Sequence, residues 1–112
     1  MQWSARVANG CTVLTISGSI NKADASRLKL LLGSPTSLVV DMREITFLGP
    51  AGLDVLADAA AKLADYPWPL AIAIGDDHAQ VLRAIQDADL QQTLRLFDTV
   101  EHALAAGPIH GE

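Results

Sequence analysis

The regular alternation of short apolar runs with longer helical stretches restricts the fold of this chain most. Four runs read as strands, at residues 11–17, 37–42, 70–74 and 94–97. The runs at 37–42 and 70–74 are typical of buried strands, whereas 94–97 alternates apolar and polar residues. Amphipathic helical stretches follow them, at residues 22–32, about 49–66, 78–88 and 100–106. Strands joined by helical crossovers run parallel. The order therefore predicts an α/β fold with a mixed, mostly parallel sheet of four to five strands and about four helices, mostly on one face.

A β-hairpin is predicted at the start of the chain. Trp3–Val7 reads as a short strand, and Asn9-Gly10 before the next apolar run is a strong hairpin signal, because both residues tolerate positive φ. We expect Gly18 to end the second strand. The later apolar segment Ile45–Leu48 is expected to be a separate short piece that packs under the sheet.

Local signals also mark the helix ends. Asn21 is a plausible N-cap of the first helix, since its side-chain oxygen can accept a hydrogen bond from a free backbone N–H. Gly33, followed by Pro35, is typical of a helix end.

Length and composition exclude several classes of protein. The 112 residues predict one domain over residues 1–106 with a flexible tail at 107–112, and 50% hydrophobic residues exclude general disorder. A net charge of −5 argues against nucleic-acid binding. Without a signal peptide or a long apolar run, we expect no direct membrane insertion and a cytoplasmic location. Cys11 is the single cysteine, which predicts a small buried hydrophobe and excludes an internal disulfide.

A catalytic constellation is not apparent. The sequence contains neither a phosphate-binding Gly-x-x-x-x-Gly-Lys loop nor a Gly-x-Ser-x-Gly nucleophile elbow. His78, His102 and His110 lack metal-ligand spacing, and Asp76-Asp77 is better explained as a helix cap. We therefore expect no enzyme activity, no cofactor and no metal.

Three segments carry a family resemblance. Leu38–Met42 followed by Ile45–Leu56 resembles the centre of a STAS domain, the family of bacterial anti-sigma factor antagonists and of the cytoplasmic domains of sulfate transporters. Gly18–Asn21 resembles the family's Gly-x-Leu-Asp turn, and Ala84–Leu90 resembles the end of its third helix. The resemblance covers nearly the whole chain and implies a single STAS-like domain.

The chain departs from the family at its phosphorylation loop. In phosphorylated antagonists this loop resembles Asp-Ser-Ser-Gly-Leu, and its serine is phosphorylated by a partner kinase that is itself the anti-sigma factor. Gly49 stands here at the acid, Pro50 at the phosphoserine and Ala51 at the neighbouring serine. Asn21 likewise replaces the aspartate of the earlier turn. The resemblance thus implies a degenerate phosphosite at Pro50 that cannot carry the switch.

Pro50 and Gly52 also have structural explanations. Proline is favoured in the first turn of a helix, because its fixed φ suits that position and its missing N–H would be unpaired there. Gly52 is expected to permit close packing of the helix on the sheet. Ser19, Ser26 and Thr46 are hydroxyls expected near the same end, and turn or cap roles are favoured for them over phosphorylation.

The resemblance implies a non-enzymatic module that binds an anti-sigma factor of the ATP-binding kinase type and so controls sigma-factor-dependent transcription. The expected contact surface comprises Ser19, Asn21, Asp24, Leu48, Gly49, Pro50, Ala51, Gly52, Leu53 and Asp54. Two alternatives stay open: a regulatory subunit that binds the ATPase of an ABC lipid transporter, and a module that binds a nucleotide or small apolar ligand at the loop end of the sheet. A weak homodimer is compatible with either protein-binding hypothesis.

Overall fold

The strands and helices alternate in the predicted order. The computed structural model describes residues 1–8, 10–33, 38–63, 70–75, 79–90 and 94–106. Within these ranges the elements are β1 (Gln2–Ala8), β2 (Cys11–Ile20), α1 (Lys22–Leu32), β3 (Leu38–Leu48), α2 (Pro50–Leu63), β4 (Ala71–Ala73), α3 (Ala79–Asp87), β5 (Arg95–Phe97) and α4 (Val100–Ala106). The predicted fold class is confirmed.

The five strands form one sheet in the order β1-β2-β3-β4-β5. β1 pairs antiparallel with β2, and the other neighbours pair in parallel. Ala8 pairs with Cys11 across the hairpin, and Gly10 has the positive φ of +76° that the turn requires. The opening hairpin is therefore confirmed, while Asn9 lies outside the described residues.

Each face of the sheet carries its own apolar core. Leu14, Val40 and Ile72 belong to a larger cluster with the buried side chains of α1, α2 and α3. Val13 and Val39, one residue before Leu14 and Val40, belong to a smaller cluster with α4. Successive residues of a strand point to opposite faces, so three helices cover one face and α4 covers the other. The prediction that the helices lie mostly on one face is confirmed.

Two expectations about strand length are wrong. β2 continues through Gly18 to Ile20, and Ile45–Leu48 is the second half of β3 rather than a separate piece under the sheet. The register between β2 and β3 shifts twice, between Thr15 and Ser17 and between Gly18 and Ser19. Each shift places an extra residue in β3, as in a β-bulge. These shifts let both strands continue to the same end of the sheet.

An ion pair between a buried aspartate and an exposed arginine explains why polar residues do not interrupt β3. Asp41 is only 7% exposed, and its carboxylate accepts hydrogen bonds from Nε and Nη2 of Arg43 at 2.9 and 3.0 Å. Residues two apart in a strand share a face, so the two side chains can meet within β3. Burial alone would raise the pKa of Asp41, but the hydrogen bonds and the charge of Arg43 outweigh it, and the pKa lies below its ordinary value.

Cys11 is fully buried, as expected, and burial raises the pKa of its thiol to about 11. The tail 107–112, the end of the second helix near Tyr66, and the residues Asp76, Asp77 and His78 lie outside the described residues. Among the described helices, none combines the length and the apolar character that crossing a membrane would need.

Candidate functional site

The ends of β2 and β3 bring two distant parts of the sequence together. Ser19 pairs with Phe47 and Ile20 with Leu48 at the last positions of the two strands. Beyond them, the Gly49 N–H donates to the carbonyl of Ile20 at 2.9 Å. The turn that leads into α1 and the loop that leads into α2 are thereby adjacent. We call the surface formed by residues 19–24 and 47–54 the loop surface.

α2 begins at the predicted position. The carbonyl of Gly49 accepts from the Leu53 N–H at 3.1 Å, which makes Gly49 the N-cap and Pro50 the first helical residue. Pro50 is exposed and needs no partner for an N–H, because it has none. The structural role predicted for Pro50 is confirmed. Neither Pro50 nor Ala51 offers an oxygen that could take a phosphate.

Two glycines allow the loop to approach the sheet closely. A Cβ on Gly52 would lie 2.8 Å from Cγ2 of Ile20 and 2.9 Å from Cδ1 of Leu48, closer than carbon atoms pack. A Cβ on Gly49 would lie 3.2 Å from both the Ile20 carbonyl and Cε2 of Phe47. The expectation that Gly52 permits close helix–sheet packing is confirmed. Gly49 also allows a close approach, although the space around it is less tight than around Gly52.

Asn21 holds the other side of the loop surface in place. Its Oδ1 accepts from the Ala23 N–H at 3.0 Å, and Asp24 Oδ2 accepts from the Asn21 N–H at 3.2 Å, which together form a capping box. Asp24 also lies 3.9 Å from the amino group of Met1. The predicted N-cap is confirmed. Asp24 is thus engaged within the chain and less available to a partner than its position in the sequence indicates.

Gln80 is a residue of the site that sequence reasoning missed. From the first turn of α3, its Oε1 accepts from the Leu48 N–H at 3.2 Å, and its Nε2 lies 3.5 Å from the Leu48 carbonyl. Both backbone groups of the last residue of β3 are thereby held by one side chain. The two residues are 32 positions apart, and no local pattern links them.

Only part of the expected surface is accessible. Asn21, Pro50 and Asp54 are exposed, whereas Ser19, Asp24, Ala51 and Leu53 are partly buried. Leu48, Gly49 and Gly52 are buried and shape the loop rather than present side chains. Phe47, which was not among the expected site residues, is 45% exposed beside Gly49. The accessible part therefore has an apolar centre at Phe47 and Pro50 with polar side chains around it.

The hydroxyls expected near this end are spread over three elements. Ser19 is partly buried in β2, while Thr46 in β3 and Ser26 in α1 are exposed. Ser19 and Thr46 lie at the second register shift between β2 and β3. Ser26 lies in the second turn of α1, away from the cap at Asn21.

This fold and this loop define a class of protein. The chain belongs to the STAS domain family, which matches residues 2–103. It is similar to the anti-sigma-F factor antagonist RsfB of Mycobacterium tuberculosis, with 35% identity over 101 residues, covering 86% of this chain and 80% of the relative. The family resemblance read from the sequence is confirmed.

Solved structures agree with this assignment. An anti-sigma factor antagonist from Mycobacterium paratuberculosis has a TM-score of 0.83 and 28% identity, covering 94% of this chain and 92% of its own. The phosphorylated form of SpoIIAA, a cell fate determinant of Bacillus, has a TM-score of 0.67 and 12% identity, covering 94% and 98%. At that identity the second similarity supports the fold alone.

Proposed function

We propose that this chain is a non-enzymatic anti-sigma factor antagonist that binds an anti-sigma factor of the ATP-binding kinase type and so controls transcription dependent on a sigma factor. The family and the named relatives support the regulatory class. The observation that carries the proposal is the hydrogen bond from the Gly49 N–H to the Ile20 carbonyl, because it joins both segments into one loop surface. The proposal places the protein in the cytoplasm, where such a regulator acts.

The chemistry of the loop surface suits protein binding. Phe47 and Pro50 supply an apolar centre, and Asn21 and Asp54 supply polar groups at its edge. Protein interfaces commonly have an apolar core and a polar rim. Asp54 lies one helical turn beyond Pro50 on the same side of α2, where a carboxylate can meet a basic group of the partner.

Binding through this surface is constitutive in our proposal. Phosphorylation would add about −1.5 to −2 charges where α2 begins and would change the surface that a partner meets. Pro50 and Ala51 cannot accept that group. Control of the interaction must therefore come from the amounts of the two proteins or from another site.

Two charge changes test the surface. In titration calorimetry with the cognate anti-sigma factor, Asp54→Lys is expected to weaken binding at least tenfold. Pro50→Asp is also expected to weaken binding, because it replaces an apolar residue at the centre of the surface with a charged one. It should not reduce stability, because a negative charge is favourable in the first turn of a helix. Glu101→Lys is the matched control for Asp54→Lys. It makes the same charge change at an exposed position of α4, which covers the other face of the sheet. Wild-type affinity of both Asp54→Lys and Pro50→Asp would contradict the proposed surface.

A second experiment tests the loss of the switch. Pro50→Ser restores a hydroxyl, yet we expect no phosphate on it after incubation with the cognate kinase and ATP, because Gly49 still lacks the acid. Mass spectrometry of the intact variant measures this directly. Stoichiometric phosphate on Ser at position 50 would show that the hydroxyl alone is what the loop lacks.

The choice of partner is tested by affinity capture from the native organism. Recovery of a small ATP-binding kinase-like protein supports the proposal. Recovery of a transporter ATPase instead would favour the alternative hypothesis, a regulatory subunit of an ABC lipid transporter.

A further inference from the structure

β1 leaves a long strand edge open. It is the first strand of the sheet, and in the described part of the chain it pairs with β2 alone. Six of its seven residues are exposed and the seventh is partly buried. A strand at a sheet edge presents unpaired N–H and C=O groups to any strand that approaches. The other edge strand, β5, has only three residues.

β1 carries few of the usual protections of an edge strand. Its sequence, Gln-Trp-Ser-Ala-Arg-Val-Ala, contains no proline and a single charged residue, Arg6. Its register with β2 is continuous from Gln2 to Ala8, without a bulge that would twist the edge away. Two large apolar side chains, Trp3 and Val7, are 45% and 76% exposed on it. Among the residues that the structure describes, none pairs with this edge, so it is open to pairing along β1.

The sequence of β1 is complementary to itself about its central residue. In the antiparallel register that pairs all seven residues, Ala5 lies opposite Ala5 of the second copy. Trp3 then lies opposite Val7, and Ser4 lies opposite Arg6. An aromatic residue opposite a β-branched one is a stabilising cross-strand pair, and it occurs twice by symmetry. No like charges face each other directly.

We propose that two copies of this chain associate through β1 in that antiparallel register, forming a continuous ten-stranded sheet. The two-fold symmetry uses the same surface on both copies, so the contact closes and does not propagate into fibres. Trp3, Ala5 and Val7 pair with Ile16, Leu14 and Thr12, which places them on the face covered by α1–α3. The paired Trp3 and Val7 side chains continue that face across the dimer.

The size of the contact sets its strength. A stable interface of standard size uses about 20–30 residues from each partner, whereas β1 offers seven. We therefore expect a weak dimer that forms only at high protein concentration. β1 lies at the sheet edge, and the loop surface lies at the ends of β2 and β3, so the dimer needs none of the residues proposed to bind the anti-sigma factor.

Disulfide trapping tests both the contact and its register. Ala5→Cys is expected to form a cross-linked dimer on mild oxidation, because residues directly opposite have Cα atoms about 4.5–5.5 Å apart, within disulfide range. Val7→Cys is the matched control. Its two copies would lie four residues out of register, about 13 Å apart, and should stay monomeric. The native Cys11 does not compete, because it is fully buried and its thiol has a raised pKa.

Sedimentation equilibrium provides an independent measurement. The weight-average mass of the unmodified chain should rise toward that of a dimer between about 10 µM and 1 mM, and Val7→Lys should abolish the rise. Leu30→Lys makes the same kind of change at a residue of α1 that is 77% exposed, and should leave the rise intact. A monomer throughout, or equal cross-linking of Ala5→Cys and Val7→Cys, would overturn the proposal.

Discussion

Replacing Gly52 with alanine should destabilise the fold, although alanine is the better helix former. The added Cβ would lie 2.8 Å from Cγ2 of Ile20 and 2.9 Å from Cδ1 of Leu48. Both side chains are at most 2% exposed, so neither can move freely into solvent. Inserting a methyl group into such a packed site typically costs about 1–3 kcal/mol.

The helix itself offsets part of this loss. Alanine is favoured over glycine inside a helix by about 0.5–1 kcal/mol. The expected net effect of Gly52→Ala is therefore a loss of about 1–2 kcal/mol in the free energy of unfolding. With an unfolding entropy of about 2.1 cal/mol/K per residue, the melting temperature should fall by about 4–8 °C.

Urea unfolding followed by circular dichroism measures the change, provided that the m-value is unaltered. Ala61→Gly, at an exposed position of the same helix, measures the helix-propensity difference alone. Adding Ile20→Ala to Gly52→Ala should destabilise less than the sum of the single changes, because it removes the nearest clashing atom. A Gly52→Ala protein as stable as the unmodified chain would refute the packing argument.

Two further predictions concern stability. Arg43→Met keeps the aliphatic stem and removes the ion pair with Asp41, so stability should fall by about 1–2 kcal/mol at pH 7. Because Arg43 lowers the pKa of folded Asp41, whereas burial alone would raise it in the variant, this difference should be complete near neutral pH and shrink as the pH falls into the acidic range, as urea midpoints at several pH values will show. Asn21→Ala should cost about 1 kcal/mol through loss of the cap of α1, while Asn21→Asp should be nearly neutral by the same assay.

Features that depend on neighbouring residues could be read from the sequence. The hairpin at Gly10, the cap at Asn21 and the helix start at Pro50 each rest on contacts within a few positions. Apolar periodicity likewise marked the main strands and helices, because each element buries its own apolar side chains. The family could be read because its motifs keep their order and spacing along the chain.

The predictions of strand length were wrong because distant residues decide where β2 and β3 end. The polar run from Asp41 to Glu44 reads as the end of a strand, yet β3 continues, since Arg43 neutralises the buried carboxylate of Asp41 and β2 supplies pairing partners up to Leu48. β2 in turn passes through Gly18, which has a φ of +85° at the second register shift. Neither strand's length is determined by its own residues.

For the candidate site, the residue types alone establish the chemistry of the loop: a proline and an alanine without hydroxyls, followed by a glycine. Tertiary structure decided which of the ten expected residues reach the surface, and it added Phe47 and Gln80. It also decided which helix covers the opposite face of the sheet. The physical reason is that hydroxyls and charges belong to single residues, whereas exposure and support depend on which distant segments the sheet brings together.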